Sequence, residues 1–317
     1  MEERKLSCSF ITPLFSYGAY RNTPEFRTSE VKGMMRYVYR IANPSNTQML
    51  RKNEGILFGE ASDGAGHASP VGLAVKGNGQ QGSMPLLLHD EKRGCNPSMK
   101  YLSKGLFQLS VKVKPMMEAT EKKVTHQRPD INWYTDIAML SLTLCGLGRR
   151  SRKGRGAVAI EKIKVMDLEQ AKEWILGALN QTAGMLSEGT DENFYTLSEG
   201  FIKPCFKSEE IFRPVIQKVW FGCRLNQGQV MCFLKSIDEL CHEKLDKEYK
   251  YDAKATGYVE GKSRFASPLW ISFIQVKDGI YPVYTCVKAL MGKRELDDRC
   301  TDREAFVISL EKKMERR

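Results

Sequence analysis

The protein has 317 residues, of which 42% are hydrophobic and 27% are charged. This length favours two domains over one, and the composition excludes a wholly disordered, collagen-like or coiled-coil chain. The 49 lysines and arginines outnumber the 38 aspartates and glutamates, which gives a formal net charge of +11. A surplus of this sign favours an anionic partner, whether nucleic acid, an acidic lipid surface or a phosphorylated substrate.

The sequence carries the features of a cytoplasmic protein. No apolar run is long enough to span a bilayer, and the charged residues 1–6 lack the apolar core of a secretory signal. The nine cysteines are odd in number and scattered, which is typical of reduced, mostly buried thiols. Because the chain has no C-x-x-C pair, it is predicted to hold no structural metal.

The chain is predicted to begin with a strand, a loop and a helix. Residues 6–11 are rich in strand-forming side chains and are followed by Pro13. Residues 14–28 contain glycine, asparagine and proline without helical periodicity, which indicates a loop. Across residues 29–41, apolar side chains recur at helical spacing and predict a helix with one face in the core.

A basic row lies beside the apolar face of this predicted helix. Lys32, Arg36 and Arg40 follow one another at four-residue spacing. Such a row is typical of a solvated helix face, and it would also suit contacts with phosphates.

The remaining elements alternate between helices and strands and predict an α+β fold. Residues 43–105 are rich in glycine and weakly periodic, which predicts an insertion of hairpins and flexible loops. Further strands are predicted at 108–114 and 157–165, helices at 131–145, 168–186, 236–251 and 302–317, a strand-rich stretch at 194–204, and a hairpin at 270–287 with an Asp-Gly turn.

The most distinctive segment is a basic, glycine-rich loop at residues 146–156, with the sequence GLGRRSRKGRG. Its glycines are Gly146, Gly148, Gly154 and Gly156, and its basic residues are Arg149, Arg150, Arg152, Lys153 and Arg155. Glycine lets the backbone approach a ligand closely, and arginine offers a forked donor to phosphate. The segment therefore predicts a nucleic-acid-binding loop, with a solvated basic turn or a localisation-type patch as alternatives. It lacks the spacing and the Lys-Ser/Thr ending of an NTPase phosphate loop, so neither nucleotide hydrolysis nor a cofactor is predicted.

Several motifs occur in the order found in one protein family. The chain has Thr-Pro-Leu-Phe at 12–15, Pro-Glu-Phe-Arg at 24–27 and Lys-Gly-Met-Met-Arg at 32–36. Leu-Phe-Gly follows at 57–59, then the glycine-rich loop, then Arg-Phe-Ala-Ser-Pro-Leu at 264–269. Together they resemble the motifs of the RAMP superfamily of CRISPR proteins, and most closely those of the first-numbered subunit of the Cmr (type III-B) effector complex.

The resemblance implies two ferredoxin-like (RRM-like βαββαβ) domains, at residues 1–165 and 166–317, the first with the insertion at 43–105. It implies a subunit that holds the 3′ part of the guide crRNA and its paired target RNA in antiviral defence, beside other Cmr subunits. The positions of the histidines and of the basic cluster further predict that this subunit is non-catalytic and does not bind a membrane. Because a guide complex must accept any spacer sequence, we expect contacts to the RNA backbone and 2′-hydroxyls.

Ten side chains are predicted to bind RNA on this basis. They are Arg27, Lys32, Arg36, Arg40, Arg149, Arg150, Arg152, Lys153, Arg155 and Arg264. For Arg264, bracing of the second domain is an equal alternative. Four aromatic side chains, Phe15, Tyr17, Tyr20 and Tyr37, are candidates for stacking on bases, with ordinary packing as the alternative.

Two other functions remain open at the level of sequence. A metal-independent ribonuclease that processes CRISPR repeat RNA would need a general acid or base such as histidine. The four histidines, His67, His89, His126 and His242, lie outside the first helix and the glycine-rich loop, and Asp63 lacks a plausible partner, so no catalytic residue is predicted. An anionic-membrane binder would need an amphipathic basic helix, whereas the basic cluster lies in a glycine-rich loop.

Overall fold

A computed structural model of the chain describes residues 1–20, 22–61, 66–77, 79–88, 97–114, 129–187, 193–242, 256–260, 263–291, 294–295 and 300–316. The helices are α1 (Thr28–Ala42), α2 (Thr47–Phe58), α3 (Ile131–Leu144), α4 (Glu161–Lys164), α5 (Leu168–Gly184), α6 (Gln227–His242) and α7 (Cys300–Glu315). The strands are β1 (Glu2–Phe10), β2 (Val71–Lys76), β3 (Gln80–Pro85), β4 (Ser98–Ser103), β5 (Leu106–Val113), β6 (Val158–Ile160), β7 (Tyr195–Ser198), β8 (Phe201–Pro204), β9 (Ile216–Phe221), β10 (Tyr258–Glu260), β11 (Ser263–Phe265), β12 (Leu269–Val276), β13 (Gly279–Val287), β14 (Leu290–Met291) and β15 (Arg294–Glu295). The predicted α+β class is confirmed, with antiparallel sheets.

The first half of the chain forms a four-stranded sheet in the order β2-β5-β1-β6, with antiparallel neighbours. Leu6, Cys8 and Phe10 of β1 are buried and alternate with residues that are exposed or half-buried, so one face of the sheet lies in the core. Helices α1 and α3 pack against each other, and α3 also contacts β1 and β5.

The second half forms a five-stranded antiparallel sheet in the order β12-β13-β9-β8-β7. Helix α6 packs against α7, whereas α5 packs against α1 and α3 of the first half. One hydrophobic cluster includes Leu6 and Val38 together with Trp270 and Val283, so the two halves share part of their core. The predicted domain boundary at residue 165 stays a prediction.

The segments with the clearest hydrophobic periodicity form the helices and strands that were predicted for them. The helices predicted at 29–41, 131–145 and 168–186 are α1, α3 and α5, and the hairpin predicted at 270–287 is formed by β12 and β13. In α1 the apolar stripe Val31, Met35, Val38 and Ile41 is buried, as the helical spacing requires.

The segment 43–105 has more regular structure than a loop-rich insertion. It contains α2, which begins where the side chain of Asn46 accepts a hydrogen bond of 2.9 Å from the amide of Met49. It also supplies β2, which pairs with β5 inside the first sheet, and the separate hairpin β3–β4. Gly72 and Ala74 weaken the strand signal of β2, because neither residue favours strands.

Three predicted elements had bounds that differ from the structure by more than two residues. The strand predicted at 6–11 begins at Glu2 and ends at Phe10. The strand predicted at 157–165 is limited to β6, which pairs with Cys8 to Phe10 of β1. The chain then turns away as the single helical turn α4, which buries Ile163. The helix predicted at 236–251 begins nine residues earlier, at Gln227. Asn226 and Gln229 exchange hydrogen bonds of 2.9 and 3.0 Å between side chain and backbone at this start. Residues 243–255 lie outside the described residues.

No helix in the described ranges combines the length and the apolar character that a membrane crossing requires.

Candidate nucleic-acid interface

The glycine-rich loop closes on itself at its two ends. The amide of Leu147 donates a hydrogen bond of 3.0 Å to the carbonyl of Gly156. A Cβ at Gly146 would lie 1.9 Å from the carbonyl oxygen of Arg155, and one at Gly156, where φ is +68°, would lie 2.1 Å from that of Leu147. Both positions therefore require glycine for the backbone at 146–147 to pack against the backbone at 155–156, independently of any ligand.

Residues 152–154 of the loop form hydrogen bonds with the second sheet. The amide of Gly154 donates to the carbonyl of Ile271 at 2.8 Å, and the amide of Ile271 donates to the carbonyl of Arg152 at 3.2 Å. These bonds form a short parallel bridge to strand β12. Gly154 also packs against Leu234 of α6, which a Cβ would approach to 2.7 Å. The loop thus connects the two halves of the protein.

Two of the loop arginines share one buried aspartate. Asp238 of α6 is fully buried and forms ion pairs with Arg150, at 2.7 Å, and with Arg155, which is 2% exposed. Arg155 also donates to the carbonyl of Leu86 at 3.2 Å, and Asp238 accepts a hydrogen bond of 2.9 Å from the amide of Leu88. Burial lowers the pKa of Arg155, and Asp238 opposes that shift. Arg155 therefore has almost no surface that could reach a phosphate.

Lys153 and Arg152 also contact the second half. Lys153 donates through Nζ to the carbonyl of Thr256 at 2.8 Å, and burial lowers its pKa. Arg152 donates to the carbonyl of Ser267 at 3.0 Å, and its guanidinium lies 5.2 Å from the ring centroid of Trp270. Together with Arg150 and Arg155, these side chains brace the loop, although the sequence predicted them as RNA ligands.

Arg149 is the exposed arginine of the loop. Its guanidinium lies 5.5 Å from the ring centroid of Tyr17 and contacts the sulfur of Met99 at 3.8 Å. It lines a groove of about 700 Å³ between the glycine-rich loop, residues 15–18 and the first turns of α1. We call this the loop groove; its walls include Tyr17, Gly18, Gly33, Met34, Gly148 and Arg149.

Backbone contacts hold residues 13–18 against the glycine-rich loop. The amide of Arg149 donates to the carbonyl of Phe15 at 2.9 Å, and the amide of Gly156 donates to that of Pro13 at 2.9 Å. Arg27 donates to the carbonyl of Tyr17 at 3.1 Å and lies 3.7 Å from Glu30, so it braces the wall of the loop groove.

The basic row of α1 faces α2 and β2. Lys32 donates to the carbonyl of Val71 at 3.0 Å, and burial lowers its pKa. Arg36 pairs with Glu54 of α2 at 2.7 Å, and Arg40 lies 3.4 Å from the same carboxylate. The row therefore holds α1 against its neighbours, and of the three side chains Arg40 is exposed.

The aromatic candidates divide by exposure. Phe15 is buried and contacts Tyr101, and Tyr37 stacks on Trp270 at a centroid distance of 5.4 Å. Tyr17 donates through its hydroxyl to the carbonyl of Lys100, whereas Tyr20 is 80% exposed.

Several predicted residues cannot be placed in an interface. Arg264 belongs to β11, but its side chain lies outside the described part, as do His89, His126, Asp63 and the side chain of His242. The ring of His67 lies 2.8 Å from the carbonyl of Gly55. Within the described ranges, no group of three His, Cys, Asp or Glu side chains could hold a metal ion. The predictions of no metal and no catalytic residue remain predictions.

Sequence reasoning did not single out Asp238 and Glu54, the two carboxylates that bind the arginines. Asp238 had a detectable signal, because Leu234, Ile237, Asp238 and Cys241 recur at the spacing of one helix face. An aspartate within an apolar stripe indicates a buried partner of opposite charge.

No family model matches the sequence, and no curated protein matches it. Solved structures do match it over nearly the whole chain. Cmr1 from Pyrococcus furiosus is similar with a TM-score of 0.53 and 16% identity, covering 99% of this chain and 97% of that one.

Two structures of Cmr complexes contain chains with a similar fold. A chain of type III-B Cmr-beta bound to cognate target RNA and AMPPnP, in the presence of ssDNA, has a TM-score of 0.58 at 12% identity, covering 98% of this chain and 99% of that one. A chain of type III-B Cmr-beta bound to cognate target RNA has a TM-score of 0.54 at 12% identity, covering 96% and 99%. The resemblance inferred from the sequence motifs is thus confirmed in three dimensions: this chain has the fold of Cmr1.

Proposed function

We propose that this protein is an RNA-binding subunit of a type III-B CRISPR (Cmr) effector complex. The full-length agreement of its fold with Cmr1 is the observation that carries the proposal. Two of the similar structures are Cmr-beta complexes bound to cognate target RNA, which supports an RNA strand as partner. In this proposal the protein acts in the cytoplasm, contacts other Cmr subunits and holds the 3′ part of the guide crRNA with its paired target RNA.

The proposal includes two ferredoxin-like domains. In support, the first half has the element order β1-α1-β2-β5-α3-β6 and the sheet order β2-β5-β1-β6, which is the split βαβ arrangement. The second half repeats part of it, with the element order β9-α6-β12-β13-α7 and the adjacent strands β12-β13-β9.

The loop groove is the proposed contact surface for the RNA backbone. Arg149 supplies an exposed guanidinium beside the ring of Tyr17, and Gly33 and Gly148 leave a wall without side chains. Such a surface suits phosphate and stacking contacts that ignore base identity. Arg150, Arg152, Lys153 and Arg155 hold the loop in place in this proposal, while Arg264 remains a proposed RNA contact.

Purification of the tagged protein from its own cells tests the assignment to a guide complex. We expect short RNAs that share a repeat-derived 5′ tag and carry variable spacers, together with other Cmr subunits. Recovery of the protein alone, or with bulk cellular RNA, would contradict the assignment.

Charge reversal at Arg149 tests the loop groove. Arg149→Glu should weaken binding to single-stranded RNA, and the slope of log affinity against log salt should fall by about 0.7 for each phosphate that the protein no longer neutralises. Lys207→Glu is the matched control, because Lys207 is 80% exposed at the side chain and pairs only loosely with Glu210, at 3.4 Å. Equal slopes for the two variants would exclude Arg149 from the interface.

Incubation with repeat RNA in the absence of metal tests the non-catalytic part of the proposal. We expect intact RNA. Cleavage that His67→Ala abolishes would favour the metal-independent ribonuclease instead.

A further inference from the structure

A second groove, of about 590 Å³, lies between α1, α2 and the segment at residues 213–214. We call it the helix groove; its walls include Tyr37, Arg40, Leu50, Arg51, Arg213 and Pro214. Arg213 donates to the carbonyls of Arg40 and Ser45, at 2.7 and 2.8 Å, and so fixes the second half against the end of α1. The groove is therefore a built feature of the fold, and its volume is typical of small-molecule sites.

The helix groove combines an apolar floor with a cationic rim. Ile41 and Leu50 are 1% and 3% exposed, and Pro214 adds further apolar surface. Four arginines and two glutamates line the groove, which leaves a positive balance: Arg36, Arg40, Arg51 and Arg213 against Glu54 and Glu60. A ligand that complements these walls has an anionic group and a flat, weakly polar part.

Two of the guanidinium groups are exposed at the rim of the groove, where an anion can reach them. Arg51 is exposed and makes no hydrogen bond or ion pair with any residue that the structure describes. Arg40 is exposed, lies 3.4 Å from Glu54 and places its guanidinium 5.5 Å from the ring centroid of Tyr37. A guanidinium group can donate two parallel hydrogen bonds to two oxygens of one phosphate.

Helix α1 connects the helix groove to the loop groove. Met34 lines the loop groove, and Tyr37, three residues later, lines the helix groove. Three residues advance a helix by about 4.5 Å, so side chains within one turn of α1 line both grooves. Arg152 of the glycine-rich loop also lies 5.6 Å from the ring centroid of Tyr37.

We propose that the helix groove holds one nucleotide of the bound RNA strand, with its base against the apolar floor and its phosphate between Arg40 and Arg51. This inference rests on the proposed function for the identity of the strand. A free nucleoside monophosphate presents the same chemistry, so the test separates the two sources.

The test uses the full-length protein with two probes, uridine monophosphate and a nine-residue oligouridine. Arg51→Glu should weaken binding of the oligouridine about tenfold and abolish saturation-transfer NMR signals from uridine monophosphate. Lys52→Glu is the matched control, because Lys52 is exposed on the same helix, carries the same charge and does not line the groove. It should change either affinity less than twofold. Unchanged thermal unfolding of both variants would confirm that the fold is intact.

Each other outcome overturns part of the inference. If Arg51→Glu and Lys52→Glu behave alike with both probes, the helix groove is not a nucleotide site. If Arg51→Glu affects uridine monophosphate but not the oligouridine, the site takes a free nucleotide and the strand assignment is wrong. The unmodified protein could also bind uridine monophosphate but no oligouridine. If Arg51→Glu then abolishes the binding of uridine monophosphate, the proposed function fails while the nucleotide site stands.

Discussion

Asp238 lies fully buried between Arg150 and Arg155, and it joins α6 of the second half to the glycine-rich loop of the first. A charge without water needs a close partner and hydrogen bonds for its remaining atoms. Asp238 has both, because its two oxygens accept from two guanidinium groups and from the amide of Leu88.

Removal of this carboxylate should therefore destabilise the whole protein. Asp238→Ala leaves Arg155 charged and buried without its partner, and we expect the free energy of unfolding to fall by about 3–5 kcal/mol. Urea denaturation measures this change. Glu173→Ala, which removes an exposed carboxylate from α5, is the control and should change stability by less than about 0.5 kcal/mol. Similar destabilisation in the two variants would show that Asp238 does not stabilise the loop.

The thiol of Cys223 should react slowly although its side chain is exposed. Partial desolvation of the sulfur, together with the nearby carboxylate of Glu311, raises the pKa of Cys223 to about 11. The thiolate is the reactive form and its fraction grows with pH, so alkylation by iodoacetamide should still be increasing above pH 9. Glu311→Gln should shift this rate profile to lower pH. Mass spectrometry of the Cys223 peptide measures the rate, and identical profiles would exclude a role for Glu311.

The sequence did not distinguish the basic residues of the glycine-rich loop from one another. Five basic residues between glycines predicted a ligand-binding loop, and the prediction treated them as equivalent. The structure makes Arg155 2% exposed and leaves Arg149 exposed, because only the former points toward Asp238. The partner is 83 residues away in the chain, and no local pattern carries that distance.

At the scale of elements, α1 forms the ridge between the loop groove and the helix groove. Its apolar stripe is set by residue spacing, which is why the sequence predicted both the helix and its buried face. Gly33 lies on the opposite, exposed face, where a Cβ would meet nothing within 4 Å.

Gly33→Ala should separate stability from RNA binding. Alanine in an exposed helix position should raise the free energy of unfolding by about 0.5–1 kcal/mol, while its methyl group narrows the loop groove and weakens RNA binding. Gly177→Ala in α5 is the matched control, since Gly177 is also exposed and open. It should stabilise the protein equally and leave RNA affinity unchanged. Equal RNA affinity for both variants would place the strand elsewhere.

Element bounds were predictable where the pattern was long and unpredictable where a short strand passes directly into a helical turn. The hairpin of β12 and β13 was clear from its Asp-Gly turn and its apolar strands. Strand β6 ends after three residues, where the chain turns into α4 and buries Ile163, and the strand-forming residues at 157–165 did not indicate this turn.

At the scale of the whole molecule, the halves are joined by a shared core, by the glycine-rich loop and by Arg213. We expect a single cooperative unfolding transition in urea. Tryptophan fluorescence and far-ultraviolet circular dichroism should give the same midpoint, because Trp133 and Trp270 belong to the same hydrophobic cluster. Two separate midpoints would show that the halves unfold independently.

The sequence by itself determined the α+β class, the main helices, the central hairpin and the resemblance to Cmr subunits, because residue spacing and ordered motifs are local properties of the chain. Only the tertiary structure decided which basic residues are exposed, because burial depends on partners distant in sequence. It assigned Arg150 and Arg155 to Asp238, and Arg36 and Arg40 to Glu54. It also formed the loop groove and the helix groove, which exist only where α1 meets segments from several parts of the chain.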